Sequence, residues 1–245
     1  MTQEIACFNN AGILLCSDSL VVEHVDVAEN PEPPLRSPTS GPGVEQAVGE
    51  ARELPVLPLP ARYSFRKLYS LGSHAAILSA GAKVGIDLSI RLGELVAYRG
   101  LYDVEAIYPL AREFLSQEYG RLLEEGRDWF ASHPEAYRRL YFVVAGHTFR
   151  DPSKPFRLYL LGSEDLELPL QLFPTGTLLT MPRRLAFEMK LAAALSQSSL
   201  DSLADLCLGY LRRLEEKEPD RVGGPYYAAT VTGEGFKWVS GAGPS

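Results

Sequence analysis

Cysteine is scarce in this chain of 245 residues: the three present, Cys7, Cys16 and Cys207, are odd in number, widely separated and set in apolar stretches. That usage excludes a disulfide framework or a CxxC zinc site and predicts buried, reduced thiols. The four histidines, His24, His74, His133 and His147, show no metal-ligand spacing, so neither metal nor cofactor is expected. Basic clusters are missing too, and the net charge of -7 argues against nucleic acid or an anionic membrane surface as partner. No apolar run approaches the 18 or so residues of a membrane span, and the start lacks the basic and apolar regions of a signal peptide. A soluble, cytoplasmic protein is the expectation. The strand, Gly81 and helix junction, with Gly85 beyond it, carries two glycines where a dinucleotide-binding fingerprint needs three. A nucleotide-binding module is therefore a weak rival reading.

What is present begins at the chain start. Residues 1–18, MTQEIACFNNAGILLCSD, put Thr2 directly behind the initiator methionine and follow it with two apolar strands around Asn9, Asn10, Ala11 and Gly12. Asn followed closely by Gly tolerates positive φ and predicts a hairpin, which folds Asp18 back beside the chain start. Removal of Met1, which a small penultimate residue permits, would expose a threonine whose own α-amine, with an ordinary pKa of roughly 7.7–8.0, can take its hydroxyl proton. Such a residue is nucleophile and base at once.

Downstream, residues 30–60 hold eight prolines among Gly, Ser, Thr and Glu. This composition buries little and supports neither helix nor central strand, so an insert at about 22–62 is expected, either a lid near the site or a tolerated surface loop. Residues 65–71 and 75–80 then read as a second hairpin. A helix over 82–98 follows, with Lys83, Asp87, Arg91 and Glu94 on one stripe, and another over 103–123 that must place Pro109 in its first turns or kink. Strands are expected over 139–148, 156–161 and 170–173. Two more helices come next, one from near Pro182 to 195 and one opened by a Ser198-x-x-Asp201 capping box, before closing strands over 226–231 and 236–239. Strands, two helices, strands, two helices, strands is an α+β order that suits a four-layer αββα sandwich in one domain spanning 1–245.

Three blocks of the sequence resemble the proteasome β-type subunits and their bacterial relatives, N-terminal nucleophile (Ntn) hydrolases with this sandwich. They are Thr2 through Asp18-Ser19; Lys67-Leu68-Tyr69 with Ser79-Ala80-Gly81 and the helix after it; and Val143-Val144-Ala145-Gly146 with Gly223-Gly224. The resemblance covers nearly all of the chain outside the insert. It implies a threonine-type endopeptidase with Thr2 as nucleophile, Lys67 as the cation beside it, Asp18 as the partner that aims Lys67, and Gly81 as the backbone oxyanion donor. Thr177 and Asp220 would support them, although Val222 stands where the family has a hydroxyl and Asp220 is one position off.

The same resemblance lines the substrate side-chain pocket with Val21, Phe65, Ser79 and Lys83. Lys83 turned inward would favour an acidic group; turned outward it joins the solvated stripe. Peptide or unfolded protein is the implied substrate, a ring-shaped homo-oligomer the implied assembly, and an ATP-dependent unfoldase a compatible partner that nothing in the sequence encodes. The rival readings are a catalytically silent scaffold of the same fold and an Ntn amidohydrolase acting on a small amide.

Overall fold

The computed structural model describes residues 3–23, 61–133, 138–163 and 168–244. The first two strands form where apolar residues alternate about an Asn-Asn-Ala-Gly turn. β1 (Glu4–Asn9) and β2 (Gly12–Ser17) pair antiparallel from Glu4↔Ser17 to Asn9↔Gly12. At the turn, the Asn9 side chain accepts from the Ala11 N–H and donates to the Leu195 and Ser198 carbonyls, pinning the hairpin to the helices beneath it.

β3 (Leu20–Glu23) and β4 (Ala61–Ser64) then pair with each other, Val22 opposite Arg62 and Glu23 opposite Ala61. The segment expected as an insert at about 22–62 thus has ladder residues at both ends, where β-branched Val21 and Val22 stand opposite Tyr63 and Arg62 across the pair. Residues 24–60, on which the lid reading falls, lie outside the described residues.

β5 (Leu68–Ser70), β6 (Ala75–Gly81), α1 (Val84–Tyr98), α2 (Val104–Glu125), the short α3 (Arg127–Ser132), β7 (Leu140–His147), β8 (Phe156–Gly162) and β9 (Gln171–Phe173) come next. Asp103 caps α2 by accepting the Glu105 N–H at 2.8 Å, and Pro109 sits inside that helix. β10 (Leu178–Met181), α4 (Leu185–Leu195), α5 (Leu200–Lys217), β11 (Tyr227–Thr232) and β12 (Gly235–Trp238) complete the order. β10 was not expected; the chain pairs with β1 up to Met181 before α4 begins. The cap of α5 is Ser199 rather than Ser198, its side chain accepting from the Ser202 N–H.

Two five-stranded antiparallel sheets result, ordered β10-β1-β2-β11-β12 and β5-β6-β7-β8-β9. Strand alternation sorts their side chains into distinct cores. Ile5, Cys7, Leu14 and Cys16 pack with Phe187 and Leu191 of α4 and Leu203, Cys207 and Leu211 of α5. Ile77, Phe142 and Val144 pack with Leu88 and Leu92 of α1 and Ile107, Ala111 and Leu115 of α2. Between the sheets, Ala6, Ile13 and Leu15 meet Leu68, Ala76, Leu78 and Val143. The fold is thus a mixed α/β arrangement of antiparallel sheets. The three cysteines are free and buried, and among the described residues no helix is long and apolar enough to cross a membrane.

Candidate active site

The hairpin brings Asp18 to the start of the chain. The Gln3 N–H donates to Asp18 Oδ1 at 3.1 Å, and the Asp18 N–H returns a bond to the Gln3 carbonyl at 3.2 Å. From the other sheet, Lys67 reaches across just before β5: its Nζ lies 2.9 Å from Asp18 Oδ1 and 2.7 Å from the Leu20 carbonyl oxygen. Both partners are buried, Lys67 with 2% and Asp18 with 0% of its side chain exposed. The Gly223 N–H approaches Asp18 Oδ2 at 3.4 Å. Burial pushes the Asp18 carboxyl above its ordinary range, while the Lys67 ammonium and the N–H groups of Gln3 and Gly223 pull it back down. An ammonium and two N–H donors around one carboxylate favour the charged pair.

Ser19 extends this cluster: its hydroxyl lies 2.8 Å from Ser64 Oγ, and its backbone joins Gly223 and Phe65. On the other side of Gln3, the side-chain carbonyl accepts from Arg184 Nε at 3.1 Å, and Arg184 forks onto both oxygens of Glu218. The chain start is therefore held by Asp18, just after β2, and by Arg184, just ahead of α4. Thr2 itself lies outside the described residues.

Gly81 ends β6, two residues beyond Ser79, whose N–H bonds the Lys67 carbonyl at 3.1 Å. Its φ of +100° and the 2.1 Å that would separate a Cβ from the Arg139 carbonyl oxygen admit only glycine. The residue is exposed and lines a cleft of about 680 Å³ with Tyr141, Leu160, Leu179, Met181 and Pro182, Arg183 standing at the wall.

Of the expected pocket residues, Phe65 and Lys83 come together, the ammonium lying 4.8 Å from the Phe65 ring centroid and 5.6 Å from that of Tyr63. Val21 stands opposite Tyr63 on the β3–β4 ladder. Ser79 is buried, on the strand face turned toward α1, with its Cβ near Gly85, and its hydroxyl has no hydrogen-bond partner among the described residues.

Two expected supporting residues are placed elsewhere. Thr177 is exposed ahead of β10, its carbonyl accepting the Phe8 N–H at 2.9 Å, at the opposite end of β1 from Gln3. Asp220 lies in the turn after α5 with its side chain 93% exposed, 3.7 Å from Arg62. Residues 178–181 run along β1 as a strand, so the segment beside Gln3 is Met181-Pro182, whose carbonyls accept from the Gln3 side-chain amide. Spacing from a glycine turn could not show that register.

Sequence reasoning also passed over Gln3, Ser64, Arg184 and Glu4. Glu4 carried a visible signal, a carboxylate opening an otherwise apolar strand.

No protein-family model matches the chain, and no curated protein does. Among solved structures it is similar to Anbu (ancestral beta-subunit) from Yersinia bercovieri, at 13% identity and a TM-score of 0.57 over 98% of this chain and 87% of that one. It is likewise similar to an Anbu (Gly-1) mutant from Hyphomicrobium sp. strain MC1, at 12% identity and a TM-score of 0.57 over 99% and 89% of the two chains. These findings correct the resemblance drawn from sequence: both of these similar structures are Anbu proteins, not proteasome β-type subunits. At such identity the likeness is one of fold.

Proposed function

We propose that this chain is an N-terminal threonine hydrolase that cleaves peptide bonds through an acyl ester on Thr2, exposed by removal of Met1. The observation that carries the reading is the buried Lys67–Asp18 pair bonded to the backbone of Gln3. Thr2 is joined to that same Gln3 nitrogen by one peptide bond, which limits its Cα to about 3.8 Å from that of Gln3. The fold reading that goes with it is a single domain in four layers, a helix pair outside each sheet.

In the reaction, the Thr2 hydroxyl attacks the substrate carbonyl and gives its proton to the Thr2 α-amine, directly or through water. Lys67 supplies positive charge beside the developing alkoxide and disfavours a protonated amine; Asp18 holds Lys67 in place. The carbonyl oxygen, now negative, is received by a backbone N–H at Gly81, where no side chain blocks approach. The departing amine takes the proton from the α-amine, and water then hydrolyses the ester on Thr2. The aromatic notch of Phe65 and Tyr63, with Lys83 above it, would bind the residue before the scissile bond and favour acidic side chains. The leaving segment would run along the apolar cleft beside Met181.

Assembly is proposed as a homo-oligomeric ring with peptide or unfolded protein as substrate, an ATP-dependent unfoldase being compatible with it. Support comes from α4, whose outward face exposes Leu185 and Met189 one turn apart, and from the neighbour's own name, a beta-subunit.

The test is turnover of fluorogenic peptides. Thr2→Ala should abolish it while leaving the circular-dichroism spectrum unchanged; a Thr2→Ala protein with full activity contradicts the proposal. The placement of Thr177 and Asp220 away from the pair favours a second reading, a silent subunit of the same fold. Intact mass separates the two, since retained Met1 blocks the amine.

A further inference from the structure

Glu4 is a fully buried carboxyl side chain that the proposed reaction leaves unused. Ile5 and Cys7 face the helices and Ala6 faces the opposite sheet, so alternation turns Glu4 into the gap between the sheets. Its side chain is fully buried, and neither carboxyl oxygen has a hydrogen-bond partner among the described residues.

Its register neighbours are Met181 on β10 and Ser17 on β2, whose buried hydroxyl is also unpartnered. Unpartnered buried polar atoms are uncommon enough to need a reason, and here two face each other at the end of the strands that carries the site. A bare carboxylate without donors is costly to bury, so the stable form is the uncharged acid.

Tyr227 of β11 stands opposite Ser17 on the same row, its ring packed against the cluster between the sheets. Burial is the largest influence and opposes ionisation of Glu4; Lys67, arriving ahead of β5, favours it; Asp18, which follows Ser17, acts with burial, and together they hold the carboxyl well above its ordinary range. β10 contributes the thioether of Met181. The α-amine that removal of Met1 would expose belongs to the residue two positions earlier.

We propose that Glu4 is a positioning residue for the Lys67–Asp18 pair: as an uncharged acid it leaves the Lys67 ammonium on Asp18 and Leu20, and once ionised it competes with Asp18 for that ammonium. The buried environment therefore sets an upper pH for an intact pair. The burial, register and unpartnered oxygens of Glu4 are geometric and independent of any reaction, whereas its effect on turnover rests on the hydrolase reading.

The experiment is a carbon-13 NMR titration of the full chain, following glutamate side-chain carboxyl carbons and the lysine carbons next to Nζ, with Glu4→Gln and Glu4→Leu used for assignment. The Glu4 carboxyl should titrate above the exposed glutamates, and the Lys67 signal should move at the same midpoint. In both variants that movement of Lys67 should vanish. An ordinary midpoint for Glu4, or a Lys67 signal that does not follow it, overturns the proposal.

Turnover adds an independent arm. Glu4→Gln should keep kcat/KM at neutral pH within about twofold and carry the alkaline limb to higher pH with the acid limb unmoved; an alkaline limb identical to that of the parent overturns the positioning role. A parent chain without turnover would end the hydrolase reading and leave the NMR result to decide for Glu4.

Discussion

At Lys67 the energetics are dominated by what removal leaves behind. Lys67→Ala deletes the cation and strands Asp18 with its carboxylate buried, a change that costs about 3–5 kcal/mol in comparable buried pairs. Urea unfolding should show the unfolding free energy lowered by that amount, as a lower midpoint with an unchanged slope; a loss below about 1 kcal/mol would mean that the pair is solvated.

Glu4 makes the opposite prediction. Its folded-state pKa is raised above that of the unfolded chain, so from the unfolded value upward the folded state holds more protons and stability falls as pH rises. The slope is about 1.4 kcal/mol per pH unit until the folded pKa is reached. Glu4→Gln removes this slope, while Asp18 contributes one of the same sign to both proteins. The stability of Glu4→Gln relative to the parent should therefore grow as pH rises above the ordinary carboxylate range, as measured by unfolding at each pH. A constant difference would show that Glu4 is ionised in the folded protein.

Among the elements, α2 offers the cleanest test of local chemistry. Burial pushes the Asp103 carboxyl up, but bonds from the Phe149 and Glu105 N–H groups outweigh it and hold the pKa below its ordinary value. Its contribution is present above the ordinary carboxylate range and lost as pH falls through the folded pKa. Asp103→Ala should cost about 1–2 kcal/mol at neutral pH, read from thermal unfolding.

Much of this architecture is written locally. The Asn-Ala-Gly turn, period-two strands and the Asp103 start of α2 are visible in the sequence because each depends on a few adjacent residues. β10 is not, because Pro182 looks like a helix start and only pairing with β1 makes Leu178–Met181 a strand. The cap of α5 moves by one residue because two serines adjoin and the helix axis chooses between them. Asp18 beside the chain start follows from one hairpin, but Lys67 meets it across the sheets, and the isolation of Glu4 is a property of everything packed around it. No spacing encodes such partners. The same limit explains Thr177: a hydroxyl after a glycine turn is legible, its position at the end of β1 opposite Gln3 is not.

For the whole molecule, Leu185 and Met189 leave an apolar strip on the outside of α4, with side chains 60% and 67% exposed. If copies of the chain meet there, light scattering should report a mass of several chains and Met189→Glu should reduce it toward one. A parent protein with the mass of a single chain would remove the ring while leaving the chemistry of the pair intact. That chemistry is the central claim, and the most direct measurement of it is site-resolved mass spectrometry after incubation with a threonine-directed epoxyketone. The chain should lack Met1 and carry one adduct, on Thr2, and the adduct yield should collapse in Lys67→Ala protein shown to be folded. A chain lacking Met1 whose Thr2 stays unlabelled would contradict that claim.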